Sequence, residues 1–178
     1  MIKISYSGTV IGISFLWILI RAMLWHRKNE ISLKREIELL LVYICVIVVV
    51  RFTFFPFSKV NGQVQALHLD PSNIFPPRFN LIPFAHIADY ETCRESLINI
   101  IGNTAMFLPL GIVWPSVFRE LNTHWKVIAA GAGTSLTIEF LQLPFFERVS
   151  DIDDLILNCL GFLLGYGIFL LFRTQLSK

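Results

Sequence analysis

Five stretches, residues 4–25, 37–57, 97–117, 125–146 and 155–172, each offer about the twenty mostly apolar residues that an α-helix needs to cross the hydrocarbon core of a bilayer. Inside hydrocarbon the backbone must meet its own hydrogen-bonding needs, and a helix does so within one segment. A chain of 178 residues so filled with apolar runs has few other ways to fold. Its 54% hydrophobic and 16% charged residues are also far from the usual balance of a soluble domain. The expectation is an all-α, polytopic transmembrane helix bundle of about five spans. Residues 1–36 form a first span and a basic linker, and residues 37–178 form the main membrane domain. The first apolar run leads into Arg21 and then HRKNE, with no small-residue cleavage site, so it reads as a retained span.

Lysine and arginine collect on the cytoplasmic side of membrane proteins. The first linker carries Arg27, Lys28, Lys34 and Arg35, the third Arg119 and Lys126, and the C-terminus Arg173 and Lys178. The second linker, 58–95, mixes Lys59, Arg78 and Arg94 with Asp70, Asp89, Glu91 and Glu95, and Arg148 precedes the fifth span among acids. The bias therefore predicts an N-terminus outside and a C-terminus in the cytoplasm. The 58–95 linker is too long for a plain connection and is rich in proline and aromatics, which predicts packing on the bundle.

Other function classes are excluded. A net charge of +2 without a lysine-rich block gives no nucleic-acid partner. Cys45, Cys93 and Cys159 form no disulfide or metal pattern and read as small apolar filler. No cofactor is implied. Glu139, Asp151 and Asp154 offer oxygens to a hard cation, but two nearby arginines explain the same acids as a salt-bridged network, so no metal is expected. His86 reads as a structural histidine.

What remains is a set of polar residues where hydrocarbon should be. At about 1.5 Å per residue, Asn99 and Asn103 fall about 5 and 10 Å below the outer surface, Gln142 and Glu139 about 5 and 9 Å, and Asp154 and Asn158 about 5 and 10 Å. Arg51 lies near the outer end of the second span. Helical periodicity puts Asp151, Asp154, Asn158, Gly161 and Gly165 on one face, with Asp153 opposite as a solvated acid near the helix dipole. Asn99 and Asn103 share a face, as do Glu139 and Gln142. A buried acid is costly enough to demand partners, so Arg51 and Arg148 are expected to pair with Glu139 and the Asp151/Asp154 set. The asparagines and Gln142 complete the hydrogen bonds. Gly161 and Gly165 should admit a neighbouring helix closely. Pro109 and Gly111 are expected to bend the third span.

Three motifs then fall in a specific order: Asn99-x-x-x-Asn103-x-x-x-Phe107-x-Pro109-x-Gly111, Glu139-x-x-Gln142, and Arg148-x-x-Asp151-x-x-Asp154-x-x-x-Asn158-x-x-Gly161. Together with NLIPF at 80–84, they resemble the signatures of the VanZ-like family, membrane proteins linked to teicoplanin resistance. The resemblance covers about residues 51–167 and leaves the first span outside. It implies a multi-pass protein of the bacterial cytoplasmic membrane with a role in glycopeptide resistance. Two chemistries fit the residues. One is a binder of a membrane lipid or lipoglycopeptide in a polar outer-leaflet pocket, with Arg51, Asn99, Asn103, Gln142, Arg148, Asp151 and Asn158 as ligand contacts. The other is an intramembrane enzyme on a lipid-linked phosphate or ester, with Glu139 as general base assisted by Asp154. A structural partner of another membrane protein would need no pocket.

Overall fold

The computed structural model describes residues 1–27, 32–56, 59–84 and 93–176, with side chains as far as Arg173. Among them are five long helices: α1 (Tyr6–Arg27), α2 (Leu33–Phe54), α3 (Cys93–Val117), α4 (His124–Gln142) and α5 (Ile152–Leu176). Four of them, α1, α2, α3 and the 152–173 stretch of α5, are long and apolar enough to cross a membrane. The chain is a multi-pass membrane protein. The fourth expected span is shorter than its 125–146 window and is not among those four. Gly131, Gly133, Thr134, Ser135, Thr137, Glu139 and Gln142 dilute its apolar character. At about 1.5 Å per residue its 19 residues still extend nearly the thickness of a hydrocarbon core.

Local chemistry sets the helix ends. Thr123 caps α4, its Oγ1 accepting the Lys126 N–H at 3.4 Å. Pro109 and Pro115 lie inside α3, which runs on past both, so the expected bend does not divide the helix.

Glycines bring the central helices together. A Cβ added to Gly161 would lie 2.0 Å from the Thr104 carbonyl oxygen, and one added to Gly165 would lie 2.0 Å from that of Leu108. From the other side, a Cβ on Gly111 would lie 2.0 Å from the Phe162 carbonyl oxygen. Only hydrogen fits at these positions, and the contacts advance together along both chains, so α3 and α5 run parallel. Phe162, fully buried, lies against Gly131 of α4 and meets Trp114 edge-on at 6.1 Å between centroids. Around it sit Cys45, Val49, Met106, Phe107, Leu110, Val127 and Ile138. The first helix leans on α2 through Ser14 Oγ and Tyr43 OH at 2.6 Å, an Arg21–Glu36 ion pair, and Tyr6 against Phe55.

Short strands build a cap at one end of the bundle. β1 (Ile2–Ile4) pairs antiparallel with β4 (Leu67–Leu69), and β2 (Lys59–Val60) with β3 (Gln63–Val64). β5 (Phe79–Asn80) pairs parallel with β6 (Ser150–Asp151). The loop after α4 joins the cap through Asp70 N–H to Pro144 O at 2.8 Å and Phe146 N–H to His68 O at 3.0 Å. At the other end, Arg35 Nη1 donates to Val117 O at 2.5 Å. The N-terminus, the 59–84 linker and the 143–151 loop thus share one end, the grouping that the charge bias implies.

The glycine contacts give a stability test. Gly161→Ala forces a methyl group onto the Thr104 carbonyl and is expected to cost about 1–3 kcal/mol, read as a lower melting temperature in detergent. Gly133 has open space around it, so Gly133→Ala should leave melting unchanged or raise it slightly, since alanine is the better helix former. Equal melting of Gly161→Ala and the parent would mean that α3 and α5 do not touch there.

Candidate functional site

The site begins where α4 ends and α5 starts. Glu139 lies on the inner face of α4, 6% exposed. Its Oε2 accepts the Asp151 N–H at 3.0 Å, and its carbonyl oxygen accepts the Ser150 hydroxyl at 2.7 Å. The chain before α5 is therefore seated on Glu139. Asp151 stands immediately before the helix, and its Oδ1 accepts the Asp153 N–H at 2.9 Å, as an N-cap does. Its Oδ2 accepts from Asn80 Nδ2 at 3.2 Å, tying the cap to the same point.

Deeper in the bundle, Asn103 Nδ2 donates to Asp154 Oδ1 at 2.5 Å and makes a longer bond, 3.4 Å, to Asn99 Oδ1. Depth counting placed Asn103 level with Asn158. The structure sets it level with Asp154, one helical turn higher on α5. Asn158, 1% exposed, donates instead to Ser135 Oγ of α4 at 3.1 Å. Ser135 was not among the expected site residues, although it lies one turn from Glu139 on the same face, which is the signal that points to it.

Arg51, Gln142 and Arg148 converge on the end of α2. Gln142 Nε2 donates to Thr53 O at 2.5 Å and Arg148 Nε to Phe54 O at 2.9 Å. Arg51 Nη1 donates to Phe55 O and Pro56 O, each at 3.1 Å, with its guanidinium near the Tyr6 and Phe52 rings. The last carbonyls of a helix have no partner within it and carry the negative end of its dipole. Gln142 and Arg148 meet that need here, and Arg51 serves the two carbonyls just beyond the helix. Burial pushes the Arg148 guanidinium below its ordinary value; Asp154, Glu147 and Glu139 favour its charge and Arg51 opposes it. Arg148 thus sits in the field of the acids while its Nε serves a backbone carbonyl.

Asp153 corrects the sequence reading. It is 2% exposed rather than solvated, and its Oδ1 accepts the Phe84 N–H at 2.6 Å. The segment 80–84 folds over the outer face of the first turn of α5: Asn80 Oδ1 accepts the Ile82 N–H at 3.3 Å, and Phe84 takes a positive φ of 65°. Arg78 fixes the same segment by donating to Phe145 O at 2.9 Å and Phe146 O at 3.1 Å. His86 lies outside the described residues.

Some valences in the seam stay open. Among the described residues, Gln142 Oε1, Asn158 Oδ1 and Asp153 Oδ2 are buried without a hydrogen-bond partner. A separate groove of about 110 Å³ is lined by Leu136 and Phe140 of α4, Ile152 and Leu155 of α5, and Phe79 and Leu81 of the cap. Glu139, Ser150 and Asp151 border it but present almost no polar surface to it. Leu136 and Phe140 are exposed on the surface of α4.

The VanZ/LLP1 family model matches residues 40–173, a range that begins after α1. Protein VanZ of Enterococcus faecium is 28% identical over 116 residues, which cover 65% of this chain and 67% of that protein. No solved structure matches the chain.

The Asn103–Asp154 bond predicts a graded pair of variants. Asn103→Leu leaves a half-buried carboxylate without that donor and should lower stability by about 1–3 kcal/mol in a detergent melt. Asn99→Ala removes only a long contact and should cost less than about 0.5 kcal/mol. Equal effects would contradict the difference between the two contacts.

Proposed function

We propose a function on one premise: the chain belongs to the VanZ/LLP1 family. It is a multi-pass protein of the bacterial cytoplasmic membrane, with the cap on the outside. There it takes part in resistance to the lipoglycopeptide teicoplanin by binding an amphiphile, either a membrane lipid or the lipoglycopeptide itself, in the α4–α5 seam. The observation that supports this reading is the groove, whose apolar wall of Leu136, Phe140 and Leu155 runs beside Glu139 and Asp151. An acyl chain needs such an apolar wall, and ligand sites are lined mainly by apolar side chains with a few polar groups near them. At head-group depth the membrane delivers such molecules from the side, where Leu136 and Phe140 are exposed.

Expression of the chain in a teicoplanin-susceptible Gram-positive host should raise the minimal inhibitory concentration several-fold. Leu136→Trp fills the groove from its lipid-facing side and should return the value to that of the empty vector at unchanged protein level and melting temperature. Full resistance in Leu136→Trp would remove the groove from the account, and no resistance from the parent chain would remove the function.

A further inference from the structure

We propose that residues 79–84 form a wedge inserted into the bilayer leaflet on the cap side, with Leu81, Ile82 and Phe84 among lipid acyl chains. The partner is the membrane itself, and the proposal does not depend on what the α4–α5 groove binds. The segment reads FNLIPF and holds no charged residue. Leu81 and Ile82 are each 69% exposed, and Phe84 is 59% exposed. Single apolar side chains at a surface need no explanation, but a contiguous group marks a surface that meets lipid or another molecule.

The backbone separates this segment from an ordinary surface loop. A loop in water can leave its N–H groups to the solvent. Hydrocarbon offers them no partner, so non-helical backbone at membrane depth must be matched by protein. From Ile82 to Phe84 every backbone donor is accounted for. The Ile82 N–H goes to Asn80 Oδ1 at 3.3 Å, Pro83 has no N–H, and the Phe84 N–H goes to Asp153 Oδ1 at 2.6 Å. Phe84 takes a positive φ of 65°, a conformation that a bulky residue keeps only where its surroundings hold it. The segment thus turns apolar side chains outward and its donors onto Asn80 and Asp153.

Depth follows from what the segment touches. The stretch of α5 that is apolar enough to cross the membrane begins at Ile152. Asp153, which receives the Phe84 N–H, lies in the first turn of that stretch. Leu155, which lines one groove with Phe79 and Leu81, lies about 5 Å into it at about 1.5 Å per residue. The segment therefore stands beside the first turn of a spanning helix and not beyond its end. Leu136 and Phe140, which wall the same groove, are exposed as well, so the apolar surface continues from the segment onto α4. Arg78, the charge just before the segment, is bound to the Phe145 and Phe146 carbonyls. Lipid is the medium that surrounds a membrane-crossing helix at this level, which makes the bilayer the occupant and not a soluble partner.

The test uses the full chain in nanodiscs, with Cys45→Ala, Cys93→Ser and Cys159→Ala as background. One nitroxide at a time is attached through Leu81→Cys, Ile82→Cys or Gln65→Cys, and collisions with oxygen and with a nickel chelate are read by electron paramagnetic resonance. Oxygen concentrates in hydrocarbon and the chelate in water. Gln65, exposed between β3 and β4, supplies the aqueous reference. At Leu81 and Ile82, nickel collisions should be at least about fivefold below those at Gln65 while oxygen collisions stay high, as for side chains about 5–10 Å into the boundary of head groups and acyl chains. Nickel access equal to that at Gln65 would place the segment in water and overturn the proposal. Low collision rates with both reagents would reveal a protein cover, from this chain or another, and would overturn it too. Both side chains are largely exposed, and two positions keep the test readable should one variant fold poorly.

Discussion

Glu139 and the start of α5 hold each other in place, and the rest of the site depends on that contact. A carboxylate within an apolar helix needs a donor, and a helix start has backbone N–H groups that no turn can use. The Asp151 N–H to Glu139 bond answers both needs at once. It fixes the phase of α5 relative to α4, and that phase sets Asn158 against Ser135. With α3 lying on the glycine face of α5, it also brings Asp154 to Asn103.

The same logic operates at the end of α2. Its last carbonyls are taken by Gln142 and Arg148, and the two that follow by its own Arg51. The cap then reaches down with Asn80 and the Phe84 N–H to Asp151 and Asp153. Polar groups far apart in sequence are thus closed into one network, as buried polar groups in a low-dielectric surrounding must be. Among the described residues, Gln142 Oε1 on α4 and Asn158 Oδ1 on α5 are buried acceptors left unmatched by that network.

Much of this is legible in the sequence, for physical reasons. Helices are forced by hydrocarbon, so hydropathy alone gives α1, α2, α3 and α5. Gly161 and Gly165 on one stripe announce the close approach to Thr104 and Leu108. Asn103, Glu139, Asp154 and Asn158 are recognisable because polar residues at such depth need a common interior. The failures share a cause as well. Asp153 was assigned to solvent because a helical projection cannot see a distant segment folding over the opposite face. Arg148 has Asp154 and Glu139 in its field as the sequence suggests, but its Nε and Arg51 Nη1 also serve backbone carbonyls, which a sequence does not display. Ser135 lies in the small-residue run GAGTS, which by itself signals close helix packing rather than a hydrogen bond. The α3–α5 register was off by a turn because depth counting assumes equal starting levels, whereas glycine packing sets the actual offset.

The central claim is that amphiphiles enter between α4, α5 and the cap, not anywhere on the broad apolar surface. The direct measurement is photocrosslinking with a lipid carrying a diazirine in its acyl chain, with adducts mapped by peptide mass spectrometry on the intact protein in nanodiscs. The account predicts adducts concentrated on Leu136, Phe140 and Leu155, above the background on the exposed faces of α1 and α2. An even spread over every lipid-facing helix, with no excess at those three residues, would contradict it.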